Sequence, residues 1–500
     1  MIPRYADKKN GENWSLAKKF ARWQDVEFAV LKAREQLGRI PAGTFKKVQD
    51  ILASIPIDLA RIDALETLLE HDFLAFSTER SERLPIELRQ YWHPDDMTSY
   101  DDEESPFAEA IWTSCTLVRD KAHTLGLTIR EKSLEHPYVP MFRRTHGQGA
   151  ELESFGRCCL AWYQDLQIAI STLNDAEQRL DYSRLAGMIG TNSGMDPELE
   201  KAALNILGFK PWPGSTQIMS RVMYSPVADA LANIASACEK ITYDFWLNSR
   251  SGRPLWHEPF KKTQKGSSAA PHKKNPIKSE QTKGMASMVR SDAACIKTTI
   301  PTAEGRDISQ SCVERVKWPD IFDETLRALK NTTDIVAAMR IYPDNMIIEI
   351  LESRGTYAAS RAKQVLTELG LPFGLSRDEA YNIVQLASFN VFEPSPVCKR
   401  LRDNLPQSPE EMDVSVAMME HEGCQYGQLP TIQKLIPSAT LVASEQLAFT
   451  AAEVMRWNDI LEQIFCSNSA NLKKWETLFR PSNILKNEAY QFKVVFGAAI

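Results

Sequence analysis

Apolar residues recur along the chain at alternating steps of four and three. One seam runs through Val227, Leu231, Ile234, Cys238, Ile241 and Phe245, and a second through Ile111, Cys115, Val118, Ala122 and Leu125. A third passes through Cys159, Tyr163, Leu166, Ile170 and Leu173. At 3.6 residues per turn this spacing lays one apolar stripe along one helix face, so each stretch predicts a long helix packed nearly parallel to its neighbours. Valine-threonine-isoleucine runs are few, and only 22 of 500 residues are glycine, which argues against a sheet-dominated fold. The expected class is all-α, built around a central long-helix bundle, with oligomerisation available to cover the remaining apolar faces. Spacing alone fits ordinary core helices equally well.

Punctuation divides the chain into three expected segments. The stretch HPDDMTSYDDEESPF at 93–107 is acidic and turn-rich and precedes the first seam helix. IYPDNMIIEILESRG at 341–355 closes the central region, and FEPSPVCKRLRDNLPQSPEEMD at 392–413 reads as a proline-rich connection. The division is an N-terminal helical domain at 1–105, a central bundle at 106–355 and a C-terminal helical domain at 356–500.

Composition narrows the function classes. The chain is 43% hydrophobic and 25% charged with a net charge of −6, which is ordinary globular and gives no footprint for nonspecific nucleic-acid binding. No run approaches the ~18 apolar residues of a membrane span, and MIPRYADKKNGENW lacks the apolar segment of a signal peptide. The nine cysteines are odd in number and form no C-x-x-C pair. Buried, reduced thiols in a cytoplasmic protein are the expectation.

The most unusual stretch is KKTQKGSSAAPHKKNPIKSEQ, residues 261–281. Gly266, paired serines and two prolines interrupt helix there, so 261–276 is expected to be a mobile loop rich in hydrogen-bond donors. Lys273, Lys274 and Asn275 suit it to a carboxylate- or phosphate-bearing ligand. A serine in such a loop could act as base or nucleophile, whereas composition alone supports a solvated basic loop. The spacing of a Walker-type phosphate loop is missing.

As a whole string the loop resembles the G-S-S-x-M-P-x-K-x-N-P signature of the aspartase/fumarase superfamily, through Gly266, Ser267, Ser268, Pro271, Lys273, Asn275 and Pro276. The flanking WHEPF and SE, and MIPRY, EHD at 70–72, HPDDMTSYD at 93–101, RTHGQ at 144–148, GSTQIMSR at 214–221 and RDISQSCVER at 306–315, occur in the order of the adenylosuccinate lyase family. The resemblance covers nearly the whole chain. It implies a three-domain all-α fold, a homotetramer with active sites shared among subunits, and anti elimination of fumarate from a C–N bond. Such a reaction needs a base on one face, an acid on the other, and cationic donors around the developing dianion.

The resemblance also implies residue roles. Ser267 falls on the base, with Ser268 as the alternative and a substrate contact. Lys273 and Asn275 match residues that hold the substrate carboxylate, and His146 of T-H-G-Q matches the general acid. His71 matches a second histidine that positions substrate and acid, Asp72 joins the substrate-binding set, and Glu280 matches a carboxylate that pairs with a histidine. Arg4 and Tyr5 match nucleotide contacts, Thr98 and Ser99 grip a succinyl carboxylate, and Gln217 binds substrate. Arg306, Ser311 and Arg315 surround phosphate and carboxylate. Arginine suits this work because its planar fork meets an oxyanion in two bonds. The implied substrate is a phosphorylated succinyl-nucleotide, with no metal, no cofactor, no nucleic acid and no membrane partner. His93 is expected to line the site, and His123, His136, His257 and His421 to be structural.

Departures from the family pattern are Ala270, Tyr100, the acidic run Asp102, Glu103 and Glu104 with Ser105, Glu70, Gly149, Leu152 and Gln310. Glu70 and the 101–104 run are expected to place negative charge near an anionic substrate, weakening it or selecting a less anionic one. Two other readings compete. One is a different lyase or cycloisomerase of the superfamily, of argininosuccinate, succinyl-amine or muconate type. The other is a helical scaffold without activity.

Overall fold

The computed structural model describes residues 1–392, 407–408, 410–411, 413, 430–444, 446–466 and 468–497. His421 and most of the proline-rich stretch at 392–413 lie outside the described residues. The described residues are predominantly helical, with three short two-stranded pairings. They form two compact units, each gathered from discontinuous stretches. One comprises residues 1–129, 162–249 and 257–339, the other 130–161, 250–256 and 340–500.

In the first unit the helices Ser225–Asn248, Ile277–Lys297 and Ser309–Ala338 pack against one another. Every residue of the 227–245 seam is buried, as is every residue of the 111–125 seam in the helix Ser99–Glu135. In the third seam Tyr163 is half-buried, and Trp162 beside it is the buried aromatic. Trp162 donates through Nε1 to Asp244 at 2.9 Å, which joins the helix Phe155–Glu177 to the bundle. A smaller aromatic core, with Phe20, Trp23, Phe73, Phe76 and Trp92, packs the N-terminal helices. The Phe20 and Phe76 rings stack at 5.6 Å.

The stretch at 93–107 differs from its expected turn-rich character. Helix begins at Ser99 and continues through Pro106 to Glu135. Asp101 makes the start: its carboxylate accepts the Thr98 N–H at 2.9 Å, tying down the first turn, where a negative charge also suits the helix dipole.

In the second unit the helices Ala359–Gly370, Arg377–Val391, Ala451–Phe465 and Ser469–Leu478 enclose a core around Trp457 and Trp475. Two of them open with reciprocal capping boxes, Ser376 with Glu379 and Thr450 with Glu453. This unit also contains an antiparallel hairpin, Pro140–Thr145 with Gln148–Ser154. Its two-residue turn is His146–Gly147, both at positive φ (54° and 76°), the pattern of the tight hairpin turn whose twist matches that of the strands. Phe142 and Leu152 anchor it beside Ile350 and Ile484, and Arg144 pairs with Glu349. Glycine at 149 has a steric cause, since a Cβ there would lie 2.1 Å from the Phe142 ring.

Among the described residues, no helix is long and apolar enough to cross a membrane. The seven described cysteines are free thiols; Cys115, Cys158, Cys159 and Cys238 are buried, while Cys312 and Cys466 are exposed.

Candidate active site

The loop at 261–276 has no regular structure, and it folds against itself. The Lys273 N–H donates to the Ala270 carbonyl at 3.1 Å. Gly266 lies so close to the Lys273 carbonyl that a Cβ would sit 1.9 Å from its oxygen, so only glycine fits the crossing. Ser267 follows directly. Its Oγ accepts the N–H groups of Ala269 at 3.3 Å and Ala270 at 3.1 Å. Two amide dipoles aimed at one hydroxyl oxygen favour negative charge there, the condition a serine base requires. Ser268 is exposed and receives no such pair among the described residues.

Beyond the loop, Glu258 of WHEPF fixes the start of the helix Ile277–Lys297. It accepts the N–H groups of Lys278 and Ser279, at 3.2 and 2.7 Å, and the Ser279 hydroxyl at 2.6 Å. These bonds satisfy helix-end donors that otherwise lack partners, and they hold the C-terminal root of the loop. Lys273 and Glu280 are exposed, and Asn275 is half-buried.

A second group of expected residues converges elsewhere in the same unit. Asp72 accepts from Lys19 Nζ at 2.9 Å and Arg315 Nη2 at 2.7 Å, and Glu103 lies 3.8 and 3.5 Å from the same two cations. Burial opposes ionisation of Asp72, yet the charges of Lys19 and Arg315 outweigh it and hold the carboxyl down at about 2. Glu103 is raised by burial, reinforced by Asp72. Beside this group is a cavity of about 200 Å³ whose lining includes Trp14, Trp23, Tyr100, Glu103, Ser311 and Arg315. His71 caps the helix Asp72–Glu82, its Nδ1 accepting the Leu74 N–H at 3.4 Å, and its side chain is largely exposed.

Arg306 and Gln217 meet directly, Nη1 to Oε1 at 2.9 Å, and Arg184 holds the Gln217 carbonyl at 2.8 Å. Thr98 and Ser99 form the start of the Ser99–Glu135 helix. Arg4 and Tyr5 stack loosely at 5.9 Å, with Arg327 over the same ring at 5.6 Å. Among the described residues no hydrogen bond or ion pair joins the loop to Arg306 or Arg315. His146 belongs to the other unit, exposed at the tip of its hairpin.

Most of the acidic run is turned into the fold, while Glu103 lines the cavity with Ser311 and Arg315. Asp101, Asp102 and Glu104 are buried. Asp101 faces Arg184 at 3.1 Å and accepts the N–H groups of Ala186 and Gly187. Glu104 accepts from Arg221 at 2.6 Å, and Arg221 is also bidentate to Glu314 at 2.7 and 3.1 Å. Glu103 has Lys19 and Arg315. The cations that neutralise the run come from distant stretches, so counting local charge could not reveal them.

Asp102 is different, with no hydrogen-bond donor for either carboxylate oxygen among the described residues. It adjoins His93, whose Nδ1 lies 2.8 Å from Glu27 and 3.6 Å from Asp102. Burial, then the charges of Glu27, Asp101 and Glu103, push the Asp102 carboxyl well up from its ordinary value. Arg184, Arg221 and Lys19 are the organising residues that motif reading passed over. Two of them had a signal: Arg221 ends GSTQIMSR, and Lys19 opens the family-like stretch KFARWQDVEFAVLKAREQLGRIP.

Comparison with known proteins places the chain. Residues 98–291 match a family model described as lyase. An adenylosuccinate lyase of Aquifex aeolicus is 34% identical over 410 residues, covering 82% of this chain and 92% of that protein. The chain belongs to the adenylosuccinate lyase family. A second member, from Synechocystis, is 33% identical over 385 residues, covering 77% of this chain and 87% of its own length. The fold matches a fumarate lyase structure from Mesorhizobium, with a TM-score of 0.75, 17% identity, and 99% and 98% of the two chains covered. It also matches a β-carboxy-cis,cis-muconate cycloisomerase from Acinetobacter calcoaceticus, with a TM-score of 0.70, 16% identity, and 98% of each chain covered. At these identities the structural matches speak to the all-α aspartase/fumarase fold alone.

Proposed function

We propose that this chain cleaves adenylosuccinate to AMP and fumarate by anti β-elimination, and cleaves the succinocarboxamide ribonucleotide of earlier purine synthesis in the same way. The observation that carries this reading is the 34% identity to an adenylosuccinate lyase over 92% of that protein's length. In the proposed chemistry Ser267, as alkoxide, takes the proton from the carbon beside the succinyl carboxylate. The electron pair moves onto that carboxylate as a dianion and returns to form the C=C bond as the C–N bond breaks. His146 gives its proton to the departing nitrogen.

The two amide groups on Ser267 Oγ support its role as base and favour it over Ser268. Lys273 and Asn275 would hold the carboxylate that gains charge, and Thr98 and Ser99 the other. Arg306, Ser311, Arg315, Gln217, Arg4 and Tyr5 would hold the nucleotide phosphate and base. His71 would orient substrate and acid, and Glu280 would pair with a histidine. The working form is a cytoplasmic homotetramer in which different copies of the chain supply parts of each site.

The test is an absorbance assay of purified protein with adenylosuccinate. Turnover is expected, with Ser267→Ala and His146→Ala each reducing it by at least ~10³-fold while remaining folded. Ser268→Ala should retain far more activity than Ser267→Ala. Mixing the two inactive variants should restore part of the activity if sites are shared. Fumarate release from a non-nucleotide succinyl-amine alone would overturn the nucleotide reading.

A further inference from the structure

Tyr100 holds a position that the reaction scheme leaves unused. Its ring is 6% exposed, and the Arg306 guanidinium carbon lies 3.7 Å from the ring centroid, well inside the range of a cation–π contact. The phenol oxygen receives the Gln310 amide Nε2–H at 3.0 Å, which tethers the outer end of the ring. Burial, with Glu103 nearby, raises the phenol above its ordinary value, so the ring stays neutral across the physiological range.

The guanidinium is thereby restrained from two directions, with the Tyr100 ring centroid 3.7 Å from its carbon and Gln217 Oε1 on Nη1 at one corner. Its other edge, Nε with Nη2, has no partner among the described residues, and Nε is buried. That edge is a fork whose two parallel N–H groups match the oxygens of a carboxylate or phosphate.

We propose that Tyr100, locked by Gln310, is a positioning residue that holds Arg306 flat so that its Nε–Nη2 edge forms a ready-made clamp for an oxyanion of the substrate. A lysine at 306 could not replace the clamp, because the geometry depends on a planar group. The inference rests on the reading that Arg306 binds substrate.

The experiment compares Tyr100→Phe, Tyr100→Leu and the parent enzyme in steady-state turnover of adenylosuccinate, with inorganic phosphate as a competitive probe. Tyr100→Leu removes the platform. It should raise KM and the phosphate inhibition constant together, on the order of 10-fold, with kcat within about 2-fold. Tyr100→Phe keeps the ring but loses the Gln310 tie, and should rescue most of that loss, leaving a rise of about 3-fold. A merely structural role would lower the melting temperature and the amount of active enzyme without separating KM from kcat. Unchanged KM in folded Tyr100→Leu overturns the proposal, as does equal loss in both variants. If Tyr100→Leu does not fold, Tyr100→Phe with parental KM and phosphate inhibition overturns it. If the parent does not turn over adenylosuccinate, the functional reading fails separately. The clamp is then judged from a crystal structure of Tyr100→Leu, where an undisplaced Arg306 guanidinium refutes it.

Discussion

Replacing Gly266 by alanine tests whether the self-contact of the loop sets the geometry of Ser267. The added Cβ would lie 1.9 Å from the Lys273 carbonyl oxygen, 3.0 Å from its carbon and 3.3 Å from the Phe260 ring. Even the closest tolerable approach is about 3.0 Å, so the two backbone segments must part by roughly 1 Å. Backbone atoms cannot yield as the end of a flexible side chain can. The displacement therefore passes to Ser267 and to the two amides that point at its hydroxyl. A misplacement of about 1 Å in a reacting group costs on the order of 10²-fold in rate. Gly266→Ala should accordingly reduce kcat/KM for adenylosuccinate about 100-fold. Its melting temperature should stay within about 2 °C of the parent, because the loop contributes little to the core. Gly284→Ala is the control. It lies in the helix Ile277–Lys297 with nothing within 4 Å of a Cβ, and should gain about 0.5–1 kcal/mol in stability. Fumarate release and thermal unfolding followed by circular dichroism decide the matter. Gly266→Ala with turnover within 3-fold of the parent, roughly 0.6 kcal/mol, would refute the steric reasoning.

Two further perturbations address the buried charges. The carboxyl of Asp102 is raised by burial and by its acidic neighbours, and a raised acid costs stability as pH climbs above its unfolded value near 4. His93 is also raised, because Glu27 overcomes the opposing effect of burial; its contribution is present below about pH 6.5 and lost as pH rises further. Both effects make the fold less stable toward alkaline pH. Asp102→Val should therefore stabilise by about 1–4 kcal/mol at pH 8 and flatten the decline between pH 5 and 8. Thermal unfolding of the variant that is no higher than the parent's at pH 8 would contradict this. Arg221→Met strips the counter-charge from Glu104 and Glu314 and should cost about 3–5 kcal/mol. The triple change with Glu104→Met and Glu314→Leu should recover most of that loss, and an uncorrected melting temperature would speak against the pairing.

The helices were legible where burial is one-sided and long. The 227–245 seam needs only its own periodicity, and all six residues are buried. The loop was equally visible, because Gly266 and the prolines forbid helix whatever surrounds them. The 140–154 hairpin was not, since much of it is exposed and its strands carry no sustained alternation. The one local signal was His146–Gly147, a dipeptide able to take positive φ twice. The partners of the acidic run were hidden for another reason. Its ion pairs with Arg184 and Arg221 span about 80 and 120 residues, and no window of sequence contains both partners. Tyr100 and Gln310 were each noticed as departures, but only the fold reveals that they bond to each other.

The tip of that hairpin has a consequence for laboratory evolution. Left-handed backbone at position 146 suits glycine better than a residue with a Cβ, by about 1 kcal/mol. A library screened only for survival of heating would thus drift away from histidine there, whereas, on the proposed role of His146 as acid, one screened through growth that depends on the enzyme making its product would retain it. On that proposed role, thermal robustness and turnover are set against each other at a single codon.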